Sequence, residues 1–208
     1  MSFPPSHIKN IIFDLGGVLL NIDYFLTEQA FIDLGISEFP KLYSQARQTS
    51  LFDDLETGRI SGAAFKNQLT QIAGVEIETD QFEQAWNAML LDIPNSHMDF
   101  LTDIQSRYRI FLLSNTNAIH YASFQQSLKD THGIDRLDSF FEKAYYSHLM
   151  GMRKPNRSTF ETVLAENNLL AGETLFIDDS VQHVEGAKAA GIVTHHLQRQ
   201  ELTELFAT

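Results

Sequence analysis

Three short apolar runs stand out along the chain, and each closes on small or acidic residues. Asn10–Leu15 (NIIFDL) is followed by Gly16-Gly17, Arg109–Ser114 (RIFLLS) by Asn115-Thr116-Asn117, and Thr174–Asp178 (TLFID) by Asp179-Ser180. Apolar runs of this length, bounded by turn formers, predict buried strands. Lys143–Ser147 (KAYYS) and Gly191–His195 (GIVTH) are weaker strand candidates. Helical spacing governs the stretches around the later runs. Asn95–Arg107 precedes the second run, Arg157–Asn167 precedes the third, and Val181–Ala190 follows it, with Ser180 as expected N-cap and Gly191 as terminator. Strands alternating with helices predict an α/β fold: a doubly wound, Rossmann-like parallel sheet covered on both faces.

One interval breaks the alternation. From Asp14 to Ser114 there are 100 positions, whereas one strand–helix–strand crossover needs about 30. The surplus, roughly Tyr24–Leu91, is poor in strand-like runs. Its apolar residues (Phe31, Leu34, Ile36; Phe65, Leu69, Ile72; Phe82, Ala85, Trp86, Met89) fall at helical spacings. A small all-helical cap inserted after the first strand is expected, hinged at Gly17–Ile22 and Leu91–Asn95. Residues 1–20 and 92–208 then form the core and 21–91 the cap. Trp86 and Met89 are expected in the core of the insertion rather than as a substrate platform.

Composition narrows the functional classes. The chain has 208 residues and a formal net charge of −12, so its surface repels nucleic-acid phosphates and anionic membranes. Neither partner is expected. Cysteine is absent, which removes disulfides, a thiol nucleophile and thiolate metal sites. The N-terminus lacks a basic stretch followed by an apolar core, and no apolar run reaches the roughly 18–20 residues of a membrane span. A cytoplasmic location is the expectation.

The strand ends carry the candidate chemistry. Ligands of open α/β sheets bind outside the carboxyl ends of the strands, where Asp14, Ser114-Asn115 and Asp178-Asp179 converge in the predicted fold. The segment Gly151-Met152-Arg153-Lys154-Pro155 can bring Lys154 to the same edge. Adjacent carboxylates need a cation between them, and a hard oxygen donor set with no His or Cys in it suits Mg²⁺. With Lys154 opposite, such a cluster can neutralise a phosphoryl group, to which Ser114 and the following backbone N–H groups would donate hydrogen bonds. The Asp14 carboxylate can attack phosphorus and form an aspartyl-phosphate. Each element alone has a structural reading: Asp14 as a turn former, Asp178-Asp179-Ser180 as a capping sequence, Lys154-Pro155 as a solvated loop. Their joint occurrence, in this order at strand ends, argues for chemistry.

The segments Phe13-Asp14-Leu15-Gly16-Gly17-Val18, Leu113-Ser114-Asn115-Thr116, Arg153-Lys154-Pro155 and Phe176-Ile177-Asp178-Asp179-Ser180 resemble the four motifs of the haloacid dehalogenase-like hydrolase superfamily, from about Asn10 to Leu197. The insertion lies where subfamily I members carry a helical cap. Glu56-Thr57-Gly58-Arg59-Ile60-Ser61 is similar to the cap segment of bacterial sugar-phosphate phosphatases, and with Gly151–Pro155 it resembles the α-D-glucose-1-phosphate phosphatase branch. The resemblance implies a Mg²⁺-dependent phosphatase acting on a small phosphorylated metabolite, a sugar phosphate, through an aspartyl-phosphate. Asp14 would be nucleophile and metal ligand, and Ser114 and Asn115 would bind phosphate. Lys154 would hold nucleophile and phosphate together. Asp178 and Asp179 would complete the metal site, Asp179 ligating more directly and Asp178 partly through water.

One departure from the family pattern changes the expectation. Most of its phosphatases carry a second Asp two residues after the nucleophile, as general acid and base; here that position is Gly16. Its carbonyl can still bind Mg²⁺, but it cannot shuttle a proton, so a slow enzyme or a substitute acid is expected, with Asp23, Asp53, Asp54 and Glu56 as candidates. Two other readings stand beside the phosphatase: a low-turnover phosphate-binding or regulatory protein, which Gly16 favours, and a haloacid dehalogenase, for which paired acids at the fourth motif would be a liability. None of the eight histidines is assigned to catalysis. His148 is the one near a motif, and His195-His196 are expected on opposite faces of a strand, one at the surface and the other in the core.

Overall fold

The computed structural model describes residues 3–42, 50–198 and 201–206. In chain order it forms β1 (Asn10–Phe13), α1 (Tyr24–Asp33), α2 (Phe39–Leu42), α3 (Ser50–Glu56), α4 (Gly62–Ala73), α5 (Thr79–Asn87), α6 (Asn95–Ile104), β2 (Arg109–Ser114), α7 (Ala118–His132), β3 (Lys143–Tyr146), α8 (Ser147–Met150), α9 (Arg157–Glu166), β4 (Thr174–Asp178), α10 (Val181–Ala189), β5 (Val193–His196) and α11 (Leu202–Leu205). The five strands make one sheet in the order β3-β2-β1-β4-β5, with every pairing parallel.

Alternation along the strands builds two cores. Ile11, Phe13, Ile110, Leu112, Leu175 and Ile177 face one layer of helices, while Ile12, Phe111, Leu113 and Phe176 face the other. Successive side chains of a strand point to opposite faces, so a strand buried on both reads as a continuous apolar run. β1 lies at the centre, with Phe13 level with Leu112 on one side and Ile177 on the other. That register puts Asp14, Ser114 and Asp178 at one edge of the sheet.

Helices α1–α5 form the helical insert after β1 and pack around a third cluster in which Phe31, Phe52, Phe65, Phe82 and Trp86 are buried. Residues 43–49 of the expected insertion lie outside the described residues. Ile72 departs from its expected apolar face and is exposed. It sits one residue before the end of α4, where Ala73 rather than Ile72 packs against the cluster of Phe65 and Leu69.

The later elements differ from the expected pattern in three details. Ser180 occupies the N-cap of α10 but makes no side-chain cap bond; instead Asp178 Oδ1 accepts from the Ser180 N–H at 2.7 Å. His195 and His196 are both half-buried rather than split between core and surface, because β5 is an edge strand with both faces partly covered. The chain also forms α7, which its apolar pattern does not announce. Only His120, Phe124 and Leu128 are buried along its 15 residues, and its ends are set by the Asn117 cap and by Gly133. Among the described residues, no helix is long and apolar enough to cross a membrane.

Candidate active site

Lys154 forms the centre of the strand-end cluster. Its side chain is fully buried, and its Nζ lies 2.8 Å from Asp14 Oδ1 and 2.7 Å from Asp178 Oδ2. The loop that carries it is held by Asn115 in both directions: the Asn115 amide donates to the Lys154 carbonyl, and the Lys154 N–H donates to Asn115 Oδ1, each at 2.9 Å. The end of β2 is thereby tied to the lysine of a separate loop. The Asn115 carboxamide is committed to that clamp, which leaves its main-chain N–H as what it can offer a ligand.

Gly186, in the middle of α10, presses on the same loop: a Cβ there would come 2.3 Å from the Pro155 carbonyl oxygen. Alanine is ordinarily preferred over glycine inside a helix by about 1 kcal/mol. Here the methyl would have to push backbone aside, so Gly186→Ala is expected to lose roughly 1–3 kcal/mol and to displace Lys154. Urea denaturation checks the sign; a raised midpoint would show that the loop yields freely.

The acidic residues are differentiated by their surroundings. Burial and the charge of Asp178 push the Asp14 carboxyl well above the usual range, against the lowering pull of Lys154. Burial also acts on Asp178, but Lys154 and His183 outweigh it and hold this carboxyl below the usual range. Burial and Asp178 raise Asp179 as well. Its carboxylate lies against the Gly16-Gly17 turn, where a Cβ at Gly17 (φ +75°) would come 2.3 Å from Oδ2. Two carboxylates held above their ordinary range beside a third that stays ionised are the surplus negative charge that a divalent cation relieves. The oxygen donors at this edge fit Mg²⁺.

His183 is the member that sequence reasoning missed. Its Nδ1 lies 3.0 and 3.1 Å from the two Asp178 oxygens, and donor atoms of Asp14, Asp178 and His183 all fall within 4.8 Å of one another. The signal available was its position in the first turn of a helix that starts directly after the acidic pair.

A cavity of about 110 Å³ lies between this edge and the insert. Asp14, Ser114 and Asp179 line its floor, Tyr24, Glu56, Trp86 and Met89 its insert side, and Asn117, His120 and Arg153 complete its wall. Trp86 and Met89 are buried in the insert cluster as expected, yet both also reach the cavity. The Trp86 ring stacks on His120, centroids 5.0 Å apart and 4° from parallel, while His120 Nδ1 lies 2.8 Å from Asn87 Oδ1. Burial pushes His120 down to about 3, so it is neutral near physiological pH.

The structure separates the four candidate acids. Asp23 is exposed and caps α1 by accepting from the Phe25 N–H. Asp53 pairs with Arg153, and Asp54 with Arg59 at 3.2 Å. Among the four, Glu56 alone lines the cavity, with its Oε2 3.2 Å from Arg153 Nε. His148 stays outside the cavity, its ring near Tyr121 and Tyr146. Its backbone meets the insert, since a Cβ at Gly58 (φ +68°) would come 2.2 Å from the His148 carbonyl oxygen.

Comparison with known proteins agrees with this geometry. Residues 8–191 match the family model described as haloacid dehalogenase-like hydrolase. A D-ribitol-5-phosphate phosphatase of Bacteroides thetaiotaomicron is 32% identical over 94% of this chain and 97% of that enzyme. A sesquiterpene phosphatase of Aspergillus oryzae is 29% identical over 91% of this chain and 89% of its own length. The crystal structure of a haloacid dehalogenase family enzyme from Bacteroides thetaiotaomicron, in complex with magnesium and inorganic phosphate, superposes with a TM-score of 0.86 at 32% identity, covering 96% of this chain and 99% of that one.

Proposed function

This chain belongs to the haloacid dehalogenase-like hydrolases and is a phosphoric monoester hydrolase of that family, and we propose that it releases phosphate from a small polyhydroxylated ester through an aspartyl-phosphate on Asp14. The observation that carries the reading is Lys154, fully buried and bonded to both Asp14 and Asp178 at the carboxyl ends of adjacent strands. A completely buried ammonium between two carboxylates is costly for a fold to maintain, and through Asp14, which lines the cavity, it lies directly behind the point where a phosphoryl group would meet the nucleophile.

In this proposal Asp14 Oδ attacks phosphorus, and Lys154 draws nucleophile and phosphate together while neutralising charge. Ser114 and the Asn115 N–H hold phosphate oxygens. The cofactor is Mg²⁺, with Asp14, the Gly16 carbonyl and Asp179 as its ligands. Asp178, whose oxygens are taken by Lys154, Ser180 and His183, contributes through water. When bound, the cation supplies charge neutralisation at the phosphoryl oxygens. Residues 1–20 and 92–208 serve as the catalytic core, and 21–91 as a cap that excludes water and reads the leaving group.

The polar wall of Glu56, Arg153, Asn117 and His120 suits the hydroxyls of a sugar or sugar-alcohol phosphate better than a terpenoid chain, and a relative acts on ribitol 5-phosphate. Phosphate release from a panel including ribitol 5-phosphate and glucose 1-phosphate, with Mg²⁺ or with EDTA, tests the proposal. Mg²⁺-dependent release favouring one polyol or sugar ester is expected. Binding without release would indicate a low-turnover binder, and EDTA-insensitive activity on a haloacid a dehalogenase.

A further inference from the structure

We propose that Glu56 supplies the proton-transfer function that Gly16 cannot, as acid to the leaving oxygen and then as base to the attacking water. The proposal rests on the phosphatase reading above and adds a residue to its mechanism. An alkyl phosphate cleaved at Asp14 expels an alkoxide, which departs slowly unless a proton reaches it in the transition state. Among the described residues lining the cavity, few groups exchange protons, and most are committed. Asp14 is the attacking group, and Asp179 lies against the Gly16-Gly17 turn as a cation ligand. His183 belongs to the carboxylate cluster with Asp14 and Asp178, its Nδ1 3.0 Å from Asp178 Oδ2, on the cation side of the cavity rather than on the insert side where the leaving group would lie. His120, pushed down to about 3 by burial, has no proton to give near neutral pH. The Tyr24 hydroxyl is driven far above its ordinary value by burial and by Asp179, and keeps its proton.

Glu56 is placed for the task. It is the last residue of α3, and its side chain is mostly enclosed. Asp14, Tyr24 and Glu56 all line the same cavity, so the three share one neighbourhood. Arg153 Nε, 3.2 Å from Oε2, fixes where the carboxyl points, while the same guanidinium also pairs with Asp53. Glu56 is therefore oriented by a cation that it shares. In the first step the Asp14–phosphorus bond forms as the bond to the alcohol oxygen breaks, and the Glu56 carboxyl gives its proton to that oxygen. In the second, the Glu56 carboxylate takes a proton from water as the water oxygen bonds to phosphorus and the Asp14–phosphorus bond breaks. The carboxyl is thereby restored.

The test compares Glu56→Gln with the unaltered enzyme on ribitol 5-phosphate and on p-nitrophenyl phosphate, both with Mg²⁺, by rapid mixing and in the steady state. Nitrophenolate needs no proton to depart. The variant is expected to release one equivalent of nitrophenolate per site at the normal rate and then turn over slowly. On ribitol 5-phosphate it should show no burst and a kcat about 10²–10⁴-fold lower. The burst counts competent sites, so a misfolded variant cannot imitate this result. Loss of the burst along with activity on both esters, in Glu56→Gln or Glu56→Ala, overturns the proposal in favour of a structural role. Rates within about twofold of normal on both esters, the span of an ordinary surface change, overturn it in favour of no role. Failure of the phosphatase reading itself would look different: the unaltered enzyme would release phosphate from neither ester.

Discussion

Asp14→Asn is expected to abolish turnover, by roughly 10⁴–10⁶-fold as for other lost nucleophiles, and to leave the metal-free protein at least as stable as before. The two halves of this result have different causes. An amide oxygen cannot form the acyl phosphate, so chemistry stops. Stability follows from the direction in which folding moves the carboxyl, which burial and Asp178 push well above its ordinary value. A group raised on folding adds stability only at pH below its unfolded value, and that contribution is lost as pH rises through the folded one. At neutral pH an ionised Asp14 is therefore a burden on the apo fold, and a neutral isostere lifts it. Thermal melts with and without Mg²⁺ check this: the variant should match or exceed the unaltered protein without metal, and gain less when Mg²⁺ is added. Retained turnover would exclude the covalent mechanism.

Lys154→Met should behave in the opposite way on stability while also ending catalysis. The methionine fills similar volume but removes the ammonium that lies 2.8 Å from Asp14 and 2.7 Å from Asp178. Breaking a buried ion pair from one side leaves uncompensated charge and costs about 3–5 kcal/mol, a large share of the stability of a typical domain. Asp178, held below its ordinary range chiefly by this lysine, would lose the stability it now provides above its unfolded value. Lys154→Arg separates charge from geometry. Its planar fork cannot occupy the point between two carboxylates, so it should recover part of the stability and little of the rate. Urea denaturation and phosphate release measure the two effects, and an unchanged midpoint for Lys154→Met would mean the cluster is not coupled as its distances indicate.

The legible part of this site was the part that the backbone dictates. Asp14, Ser114 and Asp178 each end an apolar run, and a parallel sheet brings such ends to one edge, so their convergence follows from strand identity alone. The helical insert was legible as a surplus of chain. What was not legible depends on where a side chain points after packing. Asp23, Asp53, Asp54 and Glu56 look alike in sequence, yet Glu56 reaches the cavity while Asp23 caps a helix and Asp53 turns to Arg153. Asn115 reads as a phosphate ligand, but its carboxamide is engaged with the backbone of Lys154. His183 was hidden because its partner, Asp178, lies in another element. The helix α7 was hidden because only His120, Phe124 and Leu128 of its length are buried.

The stack of Trp86 on His120 gives the molecule a built-in optical reporter. Trp86 is the only tryptophan in the chain, and it belongs to the insert while its stacking partner belongs to α7. Its indole N–H also reaches Asn117 at the start of that helix, at 3.4 Å. Emission excited selectively at tryptophan therefore comes from a single side chain at the junction between the insert and the sheet layer, on the wall of the cavity. Substrate entry, or a change in the seating of the insert, is reported by the native sequence without a label.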